Sequence, residues 1–126
     1  MSKIELYQGD CLEVMQQLID RGVKVNAIIT DIPYGTTKCN WDTIIPFDKM
    51  WECLKKLRKD DTPILLFGNE PFSSFLRASN ISEYRYDWYW QKERATNIFQ
   101  LKKRPAKVIE NISVFYKSSP NYTPQM

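Results

Sequence analysis

The run Val25-Asn26-Ala27-Ile28-Ile29-Thr30 passes directly into Asp31-Ile32-Pro33-Tyr34-Gly35. The apolar, partly β-branched centre of the first six residues predicts a strand buried on both faces, as in a parallel sheet. The next five residues leave that strand in an unusual way. A strand exit needs only a turn former, and Pro33 with Gly35 would supply one. This exit also offers a carboxylate, a backbone carbonyl that the following proline helps to fix, and an aromatic ring. The carboxylate and the carbonyl can each accept one N–H, and the ring can stack on a flat face. Together they suit an exocyclic amino group on a heterocycle. On these residues alone a plain turn and a binding site are both open, because a short motif is only a hypothesis.

Upstream, Lys3 to Gln8 alternates polar and apolar residues and predicts a short strand ended by Gly9. Asp10 reads as a helix N-cap, with Glu13 three residues on completing a capping box. Leu12, Met15, Leu18 and Ile19 place an apolar stripe on a helix from Cys11 to Asp20, which Gly22 stops. Downstream, a polar loop from Thr36 to Asp42 leads to Pro46, suited to the first turn of a helix. Phe47, Met50, Trp51, Leu54 and Leu57 then recur at helical spacing. Asp60-Asp61-Thr62-Pro63 is a break. Ile64 to Phe67 reads as a third buried strand, ended by Gly68. Asn69 predicts the cap of a further helix, with Pro71 early in it and Phe72, Phe75 and Leu76 on one face. Strand and helix alternate three times, which indicates an α/β domain with a mostly parallel sheet.

The pattern then changes. Tyr84, Tyr86, Trp88 and Trp90 alternate with polar residues and predict a long strand whose aromatic face packs into the core rather than stacking on bases. Val108 to Tyr116 predicts a second long strand, antiparallel to the first. The connection of about sixteen residues between them is of a length usually functional or disordered. Between Lys92 and Lys107 it holds six basic residues, Lys92, Arg94, Lys102, Lys103, Arg104 and Lys107, against Glu93 alone. The whole chain carries only +3, so its basicity is local, as expected of a patch that meets phosphates or of a solvated loop. Lys117 to Met126 reads as an extended exit.

With 126 residues the chain has room for one domain with a core. No apolar stretch approaches membrane-spanning length, and the first residues carry no signal-peptide core. Three cysteines, Cys11, Cys39 and Cys53, without a CxxC pair favour a reducing cytoplasm. The chain has no histidine, which removes His-based metal sites and Ser-His or Cys-His catalysis; no metal is expected.

Gly9-Asp10-Cys11-Leu12, Asp31-Ile32-Pro33-Tyr34-Gly35 and Phe67-Gly68-Asn69-Glu70-Pro71-Phe72 follow one another in a recognisable order. Trp90-Gln91-Lys92, Asn97, Lys103-Arg104-Pro105 and Ile112-Ser113-Val114-Phe115-Tyr116 continue it. The whole chain resembles the DNA methyltransferases that act on adenine N6 or cytosine N4. It most resembles their permuted group and versions carried by phages, a family tied to restriction-modification.

This resemblance implies a Rossmann-like, S-adenosylmethionine-dependent methyltransferase fold with an antiparallel hairpin at the sheet edge. It implies one catalytic half-domain over residues 1–126, double-stranded DNA as partner, and transfer of a methyl group to adenine N6, with cytosine N4 as the alternative. The aspartate that opens the tetrapeptide favours adenine, since many cytosine members begin with serine. Matched to the family pattern, Asp31, Ile32, Pro33 and Tyr34 are the catalytic residues, and Asp10, Cys11 and Asp31 hold the donor. Lys92, Arg94, Asn97, Lys102, Lys103 and Arg104 meet DNA. The loop from Thr36 to Trp41 closes over target or donor, or is only a mobile loop.

The chain departs from the family pattern in three places. Ile32 stands where proline is usual, and Ile109 precedes Glu110 where histidine is usual. The glycine-containing donor strand is missing: the only glycines are Gly9, Gly22, Gly35 and Gly68, and none forms a GxG loop. The sheet is therefore expected to be incomplete, with self-association or a missing C-terminal segment covering it. The chain alone is expected to bind S-adenosylmethionine weakly or not at all. The competing reading is a truncated, non-catalytic prophage remnant that only binds DNA.

Overall fold

A computed structural model describes residues 2–35, 43–94, 101–105 and 107–125. Asp10 caps α1 (Cys11–Asp20): its Oδ1 accepts from the backbone N–H groups of Leu12 and Glu13, at 2.9 and 3.4 Å. Gly22, at φ +74°, ends the helix where a side chain would be strained. The elements that follow are β1 (Ile28–Thr30), α2 (Phe47–Leu57), β2 (Ile64–Gly68), α3 (Phe72–Ser79), β3 (Tyr84–Gln91) and β4 (Ile109–Phe115). The strands lie in the order β1-β2-β4-β3. β1 pairs parallel with β2, while β4 runs antiparallel to both β2 and β3. Three strands therefore share one direction and β4 opposes them. The expected antiparallel pair is present at one end of the sheet, with its returning strand inserted beside β2.

The main core lies on one face, and Val114 of β4 is fully buried on the other. Along β2 the side chains of Ile64 and Leu66 are fully buried, and those of Leu65 and Phe67 are half-buried on the other side. Phe115 of β4 lies opposite Ile64 and joins Met50, Trp51 and Leu54 of α2 and Phe72 and Leu76 of α3. Each such side chain contributes about 1.5–3 kcal/mol by leaving water. Trp51 meets the Phe115 ring edge-on at 4.7 Å and donates its indole N–H to Ser79 Oγ at 2.8 Å. α1 packs against α2 and adds Met15 to the same core. None of the three helices is long and apolar enough to cross a membrane.

Four expectations are corrected. Residues 3–8 form no strand, and Ile4 and Leu6 are 87% and 92% exposed. Polar–apolar alternation is not enough without a partner strand, since an isolated strand is not stable in water. β1 is not buried on both faces: Ile29 is 68% exposed, because all three helices lie on the side that Ile28 faces. The aromatic run of β3 is not core either. Tyr84 packs on Phe115, but a bulge between Tyr84 and Tyr86 turns the strand over, so Tyr86 pairs with Val114 and Trp88 with Ile112 on the opposite face. Trp88 is 49% exposed there. Finally, the Asn69 side chain does not cap α3: Pro71 holds the N-cap position, and the Glu70 carboxylate accepts from the Ser74 N–H at 3.2 Å.

Candidate functional site

Asp31 is the first residue past β1, at the carboxyl end where open α/β sheets hold ligands. Its neighbours fix it. The Ile32 side chain is buried in the core, which anchors the exit and gives that position a packing role beyond any use of its carbonyl. The Tyr34 hydroxyl turns back and donates to Asp31 Oδ1 at 2.7 Å, which orients the otherwise exposed carboxylate. The Tyr34 ring leans on Phe72 at 5.1 Å with a 34° tilt, and Phe72 in turn meets Phe47 at 5.6 Å. Gly35 sits at φ +71°, and a Cβ there would lie 2.8 Å from Ile44 Cγ1. Glycine is therefore required where the chain turns back past Ile44.

Beside Tyr34 opens a cavity of about 310 Å³, lined by Tyr34, Ile44, Phe47, Pro71, Phe72 and Phe75. Its walls are almost wholly apolar, and one of its lining residues, Tyr34, donates its hydroxyl to Asp31. A flat ring held in such a place would have aromatic contacts on its face and a carboxylate for an attached N–H. β2 and α3 meet closely behind this cavity. A Cβ on Gly68 would lie 2.6 Å from Ser73 Oγ, so glycine lets the helix start against the strand end. Asn69 Oδ1 and Ser73 Oγ are buried there without a protein partner.

Sequence reasoning singled out Asp31 to Tyr34 as candidates, and it did not foresee the cavity walls beside Tyr34. Phe72, Phe75 and Leu76 occupy one helical stripe, but only Phe72 and Leu76 are buried. Phe75 lies at the stripe's border, 67% exposed, and lines the cavity. Helical spacing does not distinguish the border of a stripe from its centre.

The other predicted residues are dispersed. Asp10 is committed through Oδ1 to the α1 cap and is not at a strand end. Partial desolvation, with the Asp10 charge adding to it, pushes the adjacent Cys11 thiol above its ordinary range, which keeps it neutral. Lys92 pairs with Glu110 at 2.5 Å across the β3–β4 pair, so its charge is already met inside the fold. Arg94, Lys102, Lys103 and Arg104 are exposed. Asn97 and the loop from Thr36 to Trp41 lie outside the described residues. Elsewhere the charges serve structure. Asp87 accepts from Tyr84 Oη at 2.9 Å, and from Arg77 and Asn111 at 3.3 Å each. Burial first, and then that carboxylate, push the Tyr84 phenol up to about 12.

No family model and no curated protein matches the chain. Solved structures do. The crystal structure of the M1.HpyAVI-SAM complex matches with a TM-score of 0.69 at 20% identity, over 93% of this chain and 55% of that one. The crystal structure of M1.HpyAVI matches with a TM-score of 0.66 at 17% identity, over 90% of this chain and 55% of that one. The chain thus shares the α/β fold of these structures, a methyltransferase-like fold, and spans about half their length.

Proposed function

We propose that the Asp31 to Tyr34 turn grips the exocyclic amino group of a DNA base for methylation, making this chain the base-holding part of a methyltransferase. Adenine N6 is the proposed acceptor; the same grip would serve cytosine N4. One observation carries the reading: Asp31, just past the carboxyl end of β1, accepts a hydrogen bond from Tyr34, whose ring lines an aromatic cavity. The shared fold with M1.HpyAVI, bound to SAM in one of its structures, supports it.

An exocyclic amino nitrogen is a poor nucleophile because its lone pair is delocalised into the ring. Two acceptors on its protons favour the pyramidal geometry in which that pair can attack. Tyr34 occupies Asp31 Oδ1, which leaves Oδ2 for one amino proton, and the Ile32 carbonyl takes the other. The carboxylate also favours positive charge growing on the nitrogen. Drawing the base out of the duplex costs a few kcal/mol, and stacking on an aromatic ring such as Tyr34 returns about 1–3 kcal/mol.

S-adenosylmethionine supplies the methyl group when bound. A sulfonium cation fits the chemistry present, namely the exposed Asp31 carboxylate. Asp10 and Cys11 are the further donor contacts proposed, with Asp10 Oδ2 left over from its capping role. The absence of a GxG loop leaves this chain without a strong grip on the donor.

The amino grip can be tested without a donor. In an NMR titration, 9-methyladenine is expected to shift the Tyr34 ring and Ile32 amide signals. 9-Methylpurine, which lacks the amino group, should bind at least about tenfold more weakly, through loss of the charge-assisted hydrogen bond to Asp31 and of the one to the Ile32 carbonyl. Equal binding by the two rings would exclude the amino grip.

Lys102 and Lys103 are proposed to meet the DNA backbone rather than base edges. Replacing both with alanine should weaken binding to all sequences alike and reduce the salt slope by about one per lost phosphate contact. An unchanged slope would make the segment a solvated loop.

A further inference from the structure

Arg77 stands in the last turn of α3 and reaches two ways. Toward the helix start its Nη2 donates to the carboxylate of Glu70, the residue before Pro71. Toward the sheet its Nη1 donates to Asp87 Oδ2 at 3.3 Å. Asp87 is a firm anchor. Tyr84 and Asp87 are three residues apart and would face opposite sides of a regular strand. The bulge between Tyr84 and Tyr86 brings both to the helix side. There the Asp87 side chain is 9% exposed and also accepts from Tyr84 Oη at 2.9 Å and Asn111 Nδ2 at 3.3 Å. An ion pair in open solvent contributes little, but this one is set largely out of solvent.

The Glu70 end of this clamp adjoins the cavity beside Tyr34. Glu70 also accepts from the Ser74 N–H at 3.2 Å and from the Ser74 hydroxyl, which fastens the first turn of α3. Pro71, Phe72 and Phe75 of that turn line the cavity. Burial in the core places Phe72. Pro71 and Phe75 are exposed, so the core does not place them, and their position follows from how the turn is held.

We propose that Arg77 is a positioning residue for the cavity: anchored on Asp87, it holds the Glu70–Pro71 turn so that Pro71 and Phe75 form a wall for a flat ring. The inference rests on the reading of this cavity as the base site. A wall locked by supporting bonds spares the ligand the cost of ordering it. Without the clamp only a fraction of molecules presents the wall, and apparent affinity falls by that fraction.

Titration of Arg77→Met with 9-methyladenine and with 9-methylpurine tests this. Both rings are expected to bind about fivefold more weakly than to the parent, the equivalent of one lost hydrogen bond in holding the wall. The preference for the amino compound should stay as it was, because Asp31 is untouched. Amide exchange at Ser74 should quicken by a similar factor while the β3 amides keep their rates, the mark of a local loosening. Arg77→Lys, which keeps the charge, should recover part of the affinity. Arg58→Met is the control. Arg58 is a more deeply buried arginine that pairs with Glu83 at 2.6 Å beside the amino end of β3. Its loss should lower the thermal midpoint and leave ring affinity and Ser74 exchange alone. If Arg77→Met does not fold, Asp87→Asn makes the same test. Parent-like ring binding in the Arg77 variant overturns the proposal. So does an equal loss in Arg58→Met, which would make Arg77 a contributor to stability only. A parent that binds both rings alike sinks the amino grip, and the weakening of both by Arg77→Met still reads the wall. A parent that binds neither ring removes the cavity as a ring site, and the role of Arg77 with it.

Discussion

Asp31→Ala is expected to lower methyl transfer by about 10²–10³-fold in any preparation that transfers methyl groups to DNA, the loss seen when one preorganised electrostatic contact is removed from a reacting centre. The change deletes the acceptor for one amino proton and leaves the ring contacts of Tyr34 and Phe72 in place. Stability should hardly change. Asp31 is exposed, and its structural bond is the one it accepts from Tyr34, worth about 1 kcal/mol. The melting temperature should therefore move by a few degrees at most. Asp31→Asn should retain more activity, since its amide oxygen still accepts a proton. Incorporation of tritiated methyl groups into DNA measures all three proteins side by side. An alanine variant with the parent rate would remove Asp31 from the chemistry. An alanine variant that loses activity together with its fold would move the role of Asp31 from the site to the scaffold.

That prediction rests on residues legible in the sequence, and the reason they were legible is local. Asp31, Ile32, Pro33, Tyr34 and Gly35 are contiguous, and the strand exit that presents them follows from one apolar run and one glycine. The helices were legible for the same reason: α1 and α2 begin and end at caps and breakers within a few residues of their stripes. What depended on a distant partner was not legible. The cavity walls come from α2, α3 and the segment before α2, and they meet Tyr34 only after folding. The alternation of β3 suggested a buried aromatic face, but the bulge after Tyr84 sent that face to the side without helices. Nor does the alternation of residues 3–8 specify a strand, because a strand needs a partner that no local pattern supplies, and none pairs with them among the described residues.

A main core confined to one face makes its few central side chains costly to lose, and Phe115→Ala is expected to show this. Phe115 is fully buried and holds three contacts at once: Ile64 across the strand pair, Trp51 from α2 at 4.7 Å, and Tyr84 from β3 at 5.7 Å. It thereby ties the central strands to the helix layer and to the far edge. Truncation of a buried phenylalanine costs about 3–5 kcal/mol, the lost transfer energy plus the cavity left behind. A domain's whole stability is about 5–15 kcal/mol, so the variant should sit near its unfolding threshold. Trp88→Ala provides the comparison. Trp88 is as large and lies on the neighbouring strand, but its face of the sheet has no helix over it. It should cost well under half as much if the helix side is the only layer that holds the fold together. Urea denaturation of both variants reads the difference as midpoints at a common slope. Equal losses at the two positions would mean that the face away from the helices is a second core, and that the aromatic row of β3 packs after all.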